Sequence, residues 1–518
     1  MIYRSPLPDI EIPDVTLTEL VLGTARESGD KIALVDGTTG DSLTYAELVE
    51  AAEAGAAGLH RAGVRPGDVV ALMSHNQPAY AIALHAVIAA GATVTPINPV
   101  LTHREVTGQL TAAGAKVLIA ANTVADKAVE VAAAAGVTRV FLLGGDDVSG
   151  APSFETLLAE GGPAPDPDLD PATAVAVLPF SSGTTGTSKG VRLTHRNLVA
   201  NLLQTRAGWP IGPDDVQAAV LPFFHIYGFT IILNSGLLGG ATVVTLPRFE
   251  VGGYLAALAR YRVTRAYFAP PMLLALARAP EIDELDLSSL RYVLCGAAPM
   301  DVEVTERLEK RLGCLIRQGY GMTEASPGTH QVFDAEFPAT PTGSVGRLSP
   351  NTEARLVRPG TDTDVPPGEP GELLIRGPQV MAGYLGNPRA TAETITDGWL
   401  HTGDMVRVDD DGLFWVVDRI KELIKYKGYQ VAPAELESVL LTHPAVTDAA
   451  VVGVPHAEGG EAPRAYVVTT GPVDEGELMM FVAERVAPYK KVREVRFVDE
   501  IPKSPTGKIL RRVLRDGA

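Results

Sequence analysis

The chain has 518 residues, 46% of them hydrophobic and 20% charged, which excludes disordered, collagen-like and small disulfide-stapled classes. At about 150 residues per compact unit it holds roughly three. The 62 acidic residues outnumber the 44 basic ones, and the formal net charge of −18 makes the surface repel phosphate backbones, so nucleic acid is not an expected partner. Cys295 and Cys314 are too few for a disulfide framework and lack metal-ligand spacing, which fits a reducing compartment.

Residues 1–13 carry acids and prolines without a basic region leading into an apolar stretch, so no signal peptide is expected. From residue 31, short apolar runs alternate with Ala/Leu-rich helical patterns. Residues 32–35 read as a strand, and Thr44 with Glu47 three residues on reads as a capping box that opens a helix. A strand at 69–73, a helix at 79–90, a strand at 93–97 and a second box at Thr102 and Glu105 follow. The alternation predicts parallel sheet covered by helices. The apolar stretches 79–97 and 230–246 are broken by His85, Gly91 and Pro96, and by Asn234 and several glycines, so neither predicts a membrane span and a cytoplasmic location is expected.

After a Pro/Asp-rich loop at 162–171 a buried strand is predicted at 175–179, and the pattern continues to about residue 294. Between about 343 and 414, Gly, Pro and Asp surround short strands such as 372–376, which predicts antiparallel structure closing a barrel onto the larger sheets. A basic segment follows at 419–427, then Pro433 as a first-turn residue before a helix at 434–441. Strands at 450–454 and 465–469 with a helix at 475–485 predict a small βαβ-like unit. The expected fold class is α/β: a large N-terminal domain, 1–418, made of two αβ-sheet subdomains plus a β-barrel, a hinge at 419–423, and a small α+β C-terminal domain, 424–518.

The decamer Ser181-Ser182-Gly183-Thr184-Thr185-Gly186-Thr187-Ser188-Lys189-Gly190 follows the predicted strand and offers hydroxyls, unhindered backbone N–H groups and one cation, the donors a polyphosphate needs. The same composition also suits a flexible linker. It is not a Walker A loop, since Ser188 stands where the glycine before Lys is required.

This decamer resembles the phosphate loop of the adenylate-forming superfamily of acyl-CoA ligases, luciferases and peptide-synthetase adenylation domains. Further motifs occur in that family's order: Leu221-Pro222-Phe223-Phe224-His225-Ile226-Tyr227-Gly228, Gly296-Ala297-Ala298-Pro299, Gln318-Gly319-Tyr320-Gly321-Met322-Thr323-Glu324, Gly403-Asp404, the run from Asp418-Arg419 to Lys427-Gly428, and Pro505-Thr506-Gly507-Lys508. The resemblance is closest to 4-coumarate:CoA ligases. One departure is Ser188 in place of the usual proline, which loosens the loop at a cost below about 1 kcal/mol and predicts weaker ATP use without its loss.

The resemblance implies a two-step ligase that uses ATP, Mg²⁺ and coenzyme A to convert a carboxylic acid into an acyl-adenylate and then a thioester. It implies phosphate contacts from Ser181, Ser182, Gly183, Thr184, Thr185, Gly186 and Lys189, and nucleotide contacts from Ala298, Pro299, Gln318, Gly319, Tyr320, Gly321, Met322 and Thr323. Asp404 and Arg419 would fix the ribose, and Glu324 with Thr184 would meet Mg²⁺, a hard cation that keeps waters and takes one carboxylate. Lys508 would bridge the attacking carboxylate and the α-phosphate, an interaction worth about 3–4 kcal/mol. The small domain would then turn about Lys421, bringing Lys425, Lys427, Gly428 and Gln430 to the cleft, with Arg248 as a further coenzyme A contact.

For the acid, the resemblance implies a pocket of Tyr227, Ile231, Ala297, Gly319, Gly321, Ser326 and Pro327, with His225 gating it beside the transferred carboxyl. A lone histidine in an apolar run is otherwise an ordinary core residue. Small residues around an aromatic one suit a flat aryl-propenoic acid, whereas the apolar Ile231 disfavours a ring hydroxyl, so cinnamate and medium-chain fatty acids stay beside coumarate. An amino-acid-activating domain would need an acidic residue where Phe224-His225 stands, and no carrier-protein domain is expected after Lys508. A luciferase-like oxygenase shares every motif, and a non-catalytic protein on the same scaffold is the remaining alternative.

Overall fold

Short β-branched runs separated by Ala-rich helices fold into two open, mainly parallel sheets packed through helices against one large apolar core. The computed structural model describes every residue except 146, 147, 160, 182–187, 299, 427, 428, 457–459, 505, 506, 517 and 518, and the side chains of Gln430 and Asp516. The first sheet runs Gly383–Tyr384, Lys189–Thr194, Val175–Val177, Thr93–Ile97, Val69–Met73, Ala115–Ala121, Arg139–Leu143, with Phe180–Ser181 pairing onto Lys189–Thr194. The second runs Ile316–Gln318, Tyr292–Cys295, Arg265–Phe268, Val216–Ala219, Thr242–Thr245, Ile32–Asp36, Ser42–Thr44. Among the described residues no helix is long and apolar enough to cross a membrane.

Both predicted capping boxes form. The Glu47 N–H donates to Thr44 Oγ1 at 3.2 Å and the Thr44 N–H to Glu47 Oε2 at 2.8 Å, which starts the helix Tyr45–Arg61. Thr102 and Glu105 start His103–Ala113 in the same way. In the second sheet, Val216–Ala219, Arg265–Phe268, Tyr292–Cys295 and Ile316–Gln318 run parallel, so the segments that follow them emerge at one edge. That common carboxyl edge is where open α/β sheets build their sites.

The antiparallel part is a half-barrel: Tyr3–Arg4, Glu353–Val357, Gly371–Arg376, Trp399–Val408 and Ile395–Thr396, with Phe414–Arg419 on Trp399–Val408. Residues 420–423 then lead into a five-stranded sheet with its own apolar core around Val431, Leu436, Val451 and Val467. Here the expected βαβ pairing changes. Val446–His456 and Gly460–Thr469 form a long antiparallel hairpin, and the parallel crossover instead joins Gly460–Thr469 to Glu494–Phe497 through the helix Glu475–Ala483. Only residues 457–459 separate these two strands, whereas a parallel partner needs a crossover of a dozen or more residues.

Replacing Thr44 by Ala removes a cap from a long core helix and is expected to lower unfolding free energy by about 1 kcal/mol in denaturant titrations, with Thr44→Ser close to wild type.

Candidate active site

The ends of the predicted phosphate loop meet, because Ser181 and Lys189 are paired across antiparallel strands. The Ser188 hydroxyl donates to the Ser181 carbonyl at 3.1 Å. Residues 182–187, including Ser182, Gly183, Thr184, Thr185 and Gly186, lie outside the described residues. Lys189 Nζ stands 4.8 Å from the centroid of the Tyr384 ring, and the Tyr384 hydroxyl donates to Glu324 Oε1 at 2.9 Å. Ser181 Oγ reaches the same oxygen at 3.4 Å. A cation, a carboxylate and hydroxyls therefore converge where the loop closes. Burial and the nearby Glu324 charge push the Tyr384 phenol above its usual range, so it remains a donor.

A second cluster surrounds Asp404, which is buried. It accepts the Tyr320 hydroxyl at 2.5 Å and faces Arg419 Nε at 3.3 Å, its cross-strand neighbour. Burial raises the Asp404 pKa, opposed by Arg419, by the Tyr320 hydrogen bond and by Lys508. Lys508 is half-buried and its ammonium is pulled down to about 8 by burial and by Arg419, while Glu422 and Asp404 act the other way. Its backbone closes a hairpin in which the Ser504 N–H donates to the Lys508 carbonyl at 2.8 Å and Lys503 bridges to Ile509. Gly507, with φ 81°, lets this hairpin dock on the large lobe: a Cβ there would sit 2.5 Å from Pro271 Cδ.

A narrow pocket is lined by Leu221, Pro222, His225, Tyr227, Gly228, Ala269 and Ala297, and Ala269 links it to the Lys508 hairpin, since a Cβ on Gly507 would lie 3.6 Å from the Ala269 Cβ. The Tyr227 N–H donates to His225 Nδ1 at 3.2 Å, which leaves the ring proton on Nε2. Burial pushes this imidazole down to about 4, so it is neutral at physiological pH. The residues after it, Tyr227–Asn234, form a π-helix, a widened coil associated with functional sites. Ala297 holds φ 75°, a left-handed conformation that costs a non-glycine residue about 1–2 kcal/mol and brings its methyl to the cavity wall.

The family model described as AMP-binding enzyme matches residues 23–385, and the model of the AMP-binding enzyme C-terminal domain matches residues 435–508. The chain belongs to the AMP-binding enzyme family. A relative named 4-coumarate–CoA ligase 3, from Oryza sativa subsp. japonica, is 42% identical over 526 residues, covering 99% of this chain and 94% of that protein. ATP-bound MatB from Rhodopseudomonas palustris superposes with a TM-score of 0.88 at 30% identity over 97% of this chain and 99% of that one. The anthranilate CoA ligase AuaEII in complex with anthranoyl-AMP gives 0.89 at 25% identity over 98% of each chain.

In this AMP-binding enzyme the nucleotide motif is a strand and turn. Gly319 donates its N–H to the Cys295 carbonyl at 3.2 Å, and Gln318 Nε2 donates to the Ala298 carbonyl at 3.0 Å. Gly321 passes so close to Pro327 that a Cβ would lie 2.2 Å from its carbonyl oxygen. Met322 donates its N–H to that oxygen at 3.0 Å, and Thr323 and Glu324 begin the short helix that follows.

Several sequence-named residues are not among those lining this pocket. Ser326 and Pro327 are buried, the Ser326 hydroxyl donating to the Gln379 carbonyl at 2.9 Å, and Ile231 is in the core. Arg248 and Lys425 are exposed, and Lys421 lies in the exposed turn between the half-barrel and the small sheet. Pro299, Lys427, Gly428 and the Gln430 side chain lie outside the described residues. The sequence reading missed Tyr384, Ala269 and Gly228 as parts of the site. Gly228 stood inside a quoted motif, but its reason is spatial: a Cβ would sit 2.2 Å from the Pro222 carbonyl oxygen.

Gly228→Ala is therefore expected to shift the π-helix off the cavity, costing about 1–3 kcal/mol of stability and most of the turnover, read by thermal unfolding and by AMP release.

Proposed function

We propose that the chain is an AMP-forming acid:CoA ligase that adenylates an aryl-propenoic acid of the cinnamate/4-coumarate type and transfers the acyl group to coenzyme A. The observation that carries this is the convergence of Lys508, Asp404, Arg419 and Tyr320, in a chain aligned over 99% of its length with a 4-coumarate–CoA ligase. The complex of a structural neighbour with anthranoyl-AMP supports an aryl acid and an acyl-adenylate.

A carboxylate is a poor acyl donor because its leaving group would be oxide, and AMP replaces it. Ser181 and Lys189, with residues 182–187, hold the β- and γ-phosphates. Asp404 accepts the ribose hydroxyls while Arg419 holds its carboxylate in place. Glu324, a single carboxylate beside hydroxyls, fits Mg²⁺, which takes one or two carboxylates together with substrate phosphates and waters. Among the described residues no group of three acidic, His or Cys ligands would cage a metal alone. With Thr184, Glu324 would hold the ion that accompanies ATP, whose charge offsets that of the phosphates.

The acid lies in the cavity with its carboxylate toward Lys508, whose ammonium bridges it to the α-phosphate. At about 3 Å and an effective dielectric near 20 that attraction is roughly 5 kcal/mol before desolvation. The neutral His225 presents its Nε2 proton toward the acyl end. Thioester formation then uses a second arrangement, with the small lobe turned about Lys421 so that Lys425, Lys427, Gly428 and Gln430 meet coenzyme A and Arg248 contacts its phosphates.

The test is acid-dependent AMP release over cinnamate, 4-coumarate and C4 to C12 fatty acids, with and without coenzyme A. Release driven best by the aryl-propenoates and completed to thioester only with coenzyme A is expected; preference for fatty acids would overturn the substrate. Lys508→Ala is expected to lower adenylation roughly 100- to 1000-fold and to spare thioester formation from a supplied acyl-adenylate. Lys427→Ala is expected to do the reverse. His225→Ala should reduce turnover more than nucleotide binding.

Because Lys508 acts protonated and its free-enzyme pKa is near 8, kcat/KM for ATP is expected to fall as pH rises through about 8. The kcat limb should lie higher, since bound phosphates favour the ammonium. A flat profile from pH 7 to 10 would remove the lysine from the first step.

A further inference from the structure

A buried ion cluster joins the turn after Arg419 to the last helix of the chain, and the chemistry above makes no use of it. Arg511 opens the helix Arg511–Asp516, three residues beyond Lys508, with its side chain 10% exposed. Its guanidinium donates to Glu437 Oε1 and Oε2 at 2.8 and 2.7 Å, to the Val451 carbonyl at 3.2 Å, and to the Glu422 carboxylate. Glu437 lies on the helix Pro433–Leu441 and also accepts the Val451 N–H at 2.7 Å. Glu422 lies in the turn that follows Arg419, where its N–H donates to the Arg419 carbonyl at 2.9 Å.

The contact of Arg511 Nη2 with both oxygens of Glu437 would suffice to seat the last helix on the small lobe. Glu422 adds a tie from that helix to the turn that follows Arg419, the partner of Asp404. Lys508 thus stands between two restraints: Lys503 holds Asp448 at 2.5 Å upstream, and Arg511 holds Glu422 and Glu437 downstream. The charges around the ammonium are Arg419, Glu422, Asp404 and Arg511, so moving this bridge moves both the position and the field of Lys508.

We propose that the bridge from Arg511 to Glu422 is a positioning device for Lys508, setting its reach toward Asp404 and Arg419 and hence the efficiency of adenylation. This rests on the assignment of Lys508 to the first half-reaction. Arg511 and Glu422 touch no reacting atom; they act through the hairpin and the turn.

The experiment compares Glu422→Gln, Arg511→Lys and Lys508→Ala in acid-dependent ATP–pyrophosphate exchange and in thioester formation from a supplied acyl-adenylate, with thermal unfolding alongside. Glu422→Gln leaves the Arg511–Glu437 pair intact and keeps the fold. It is expected to lower kcat for exchange about 10- to 100-fold, with KM for ATP and thioester formation each within about twofold of wild type. Arg511→Lys, whose single ammonium cannot span both carboxylates, is expected to show the same split. Wild-type exchange in both variants overturns the proposal, as does equal loss of both half-reactions together with a lowered melting temperature, which marks a purely structural bridge. Exchange that survives Lys508→Ala overturns the assignment of the lysine itself, and the bridge with it.

Discussion

A carboxylate taken out of water loses several kcal/mol of hydration unless donors and cations replace it, and Asp404 is 4% exposed. Its replacements come from three distant stretches: the Tyr320 hydroxyl beyond the second sheet, the Arg419 guanidinium on the neighbouring half-barrel strand, and the Lys508 charge on the last hairpin. Satisfying one acid therefore draws together a sheet edge, a half-barrel and the small lobe. Under the proposed assignment the same acid would accept a ribose hydroxyl, which would join donors already aimed at it. Position and affinity at this point have one physical origin.

Close backbone approach shapes the rest of the site. At Gly228, Gly321 and Gly507 a Cβ would lie 2.2, 2.2 and 2.5 Å from its nearest neighbour, so the cavity mouth, the nucleotide turn and the Lys508 hairpin each need a residue without a side chain. Ala297, strained at φ 75°, supplies a methyl where glycine would be easier. That strain at the cavity wall is the kind a fold retains where shape matters to a ligand.

Local physics made much of this legible in the sequence. The capping boxes at Thr44 and Thr102 and the first-turn Pro433 depend on residues three or four apart, and all three appear as read. The candidate phosphate loop could be named from the sequence because its donors are contiguous, and residues 182–187 of it lie outside the described residues. Tyr384 was not, because it meets Glu324 60 residues away and Lys189 much farther, through a strand pairing no periodicity announces. The setting of Ser326 was hidden for a related reason: its hydroxyl points to the Gln379 carbonyl, a partner visible only once the half-barrel is built. In the small lobe, strand spacing identified the elements but left open whether neighbours run parallel or antiparallel.

The proposed two-step chemistry asks the small lobe to hold Lys508 firmly and yet to release it. The contacts observed across the two lobes suit both demands. The helix Pro270–Arg278 takes Gly507 against Pro271 at its start and, at its end, donates from Arg278 to the Thr447 and Val446 carbonyls at 3.0 and 3.2 Å. Asp301 caps the helix Val302–Leu312 and also meets Ser438, and the Ala434 N–H donates to Asp418 at 3.1 Å. These polar contacts are each worth about 0.5–1.5 kcal/mol net and replaceable by water, and beside them Met405 of the half-barrel packs with Leu423 and Ala432 in a small apolar cluster. The interior of the small lobe is apolar and closed on itself, so a turn at residues 420–423 exchanges contacts of the first kind without disturbing the second. Arg511 and Glu437 belong to the part that stays intact. Under the proposed rotation Lys508 would be carried with the small lobe, its hairpin held there by Lys503–Asp448 and Arg511–Glu437, with Glu422 as its link to the turn.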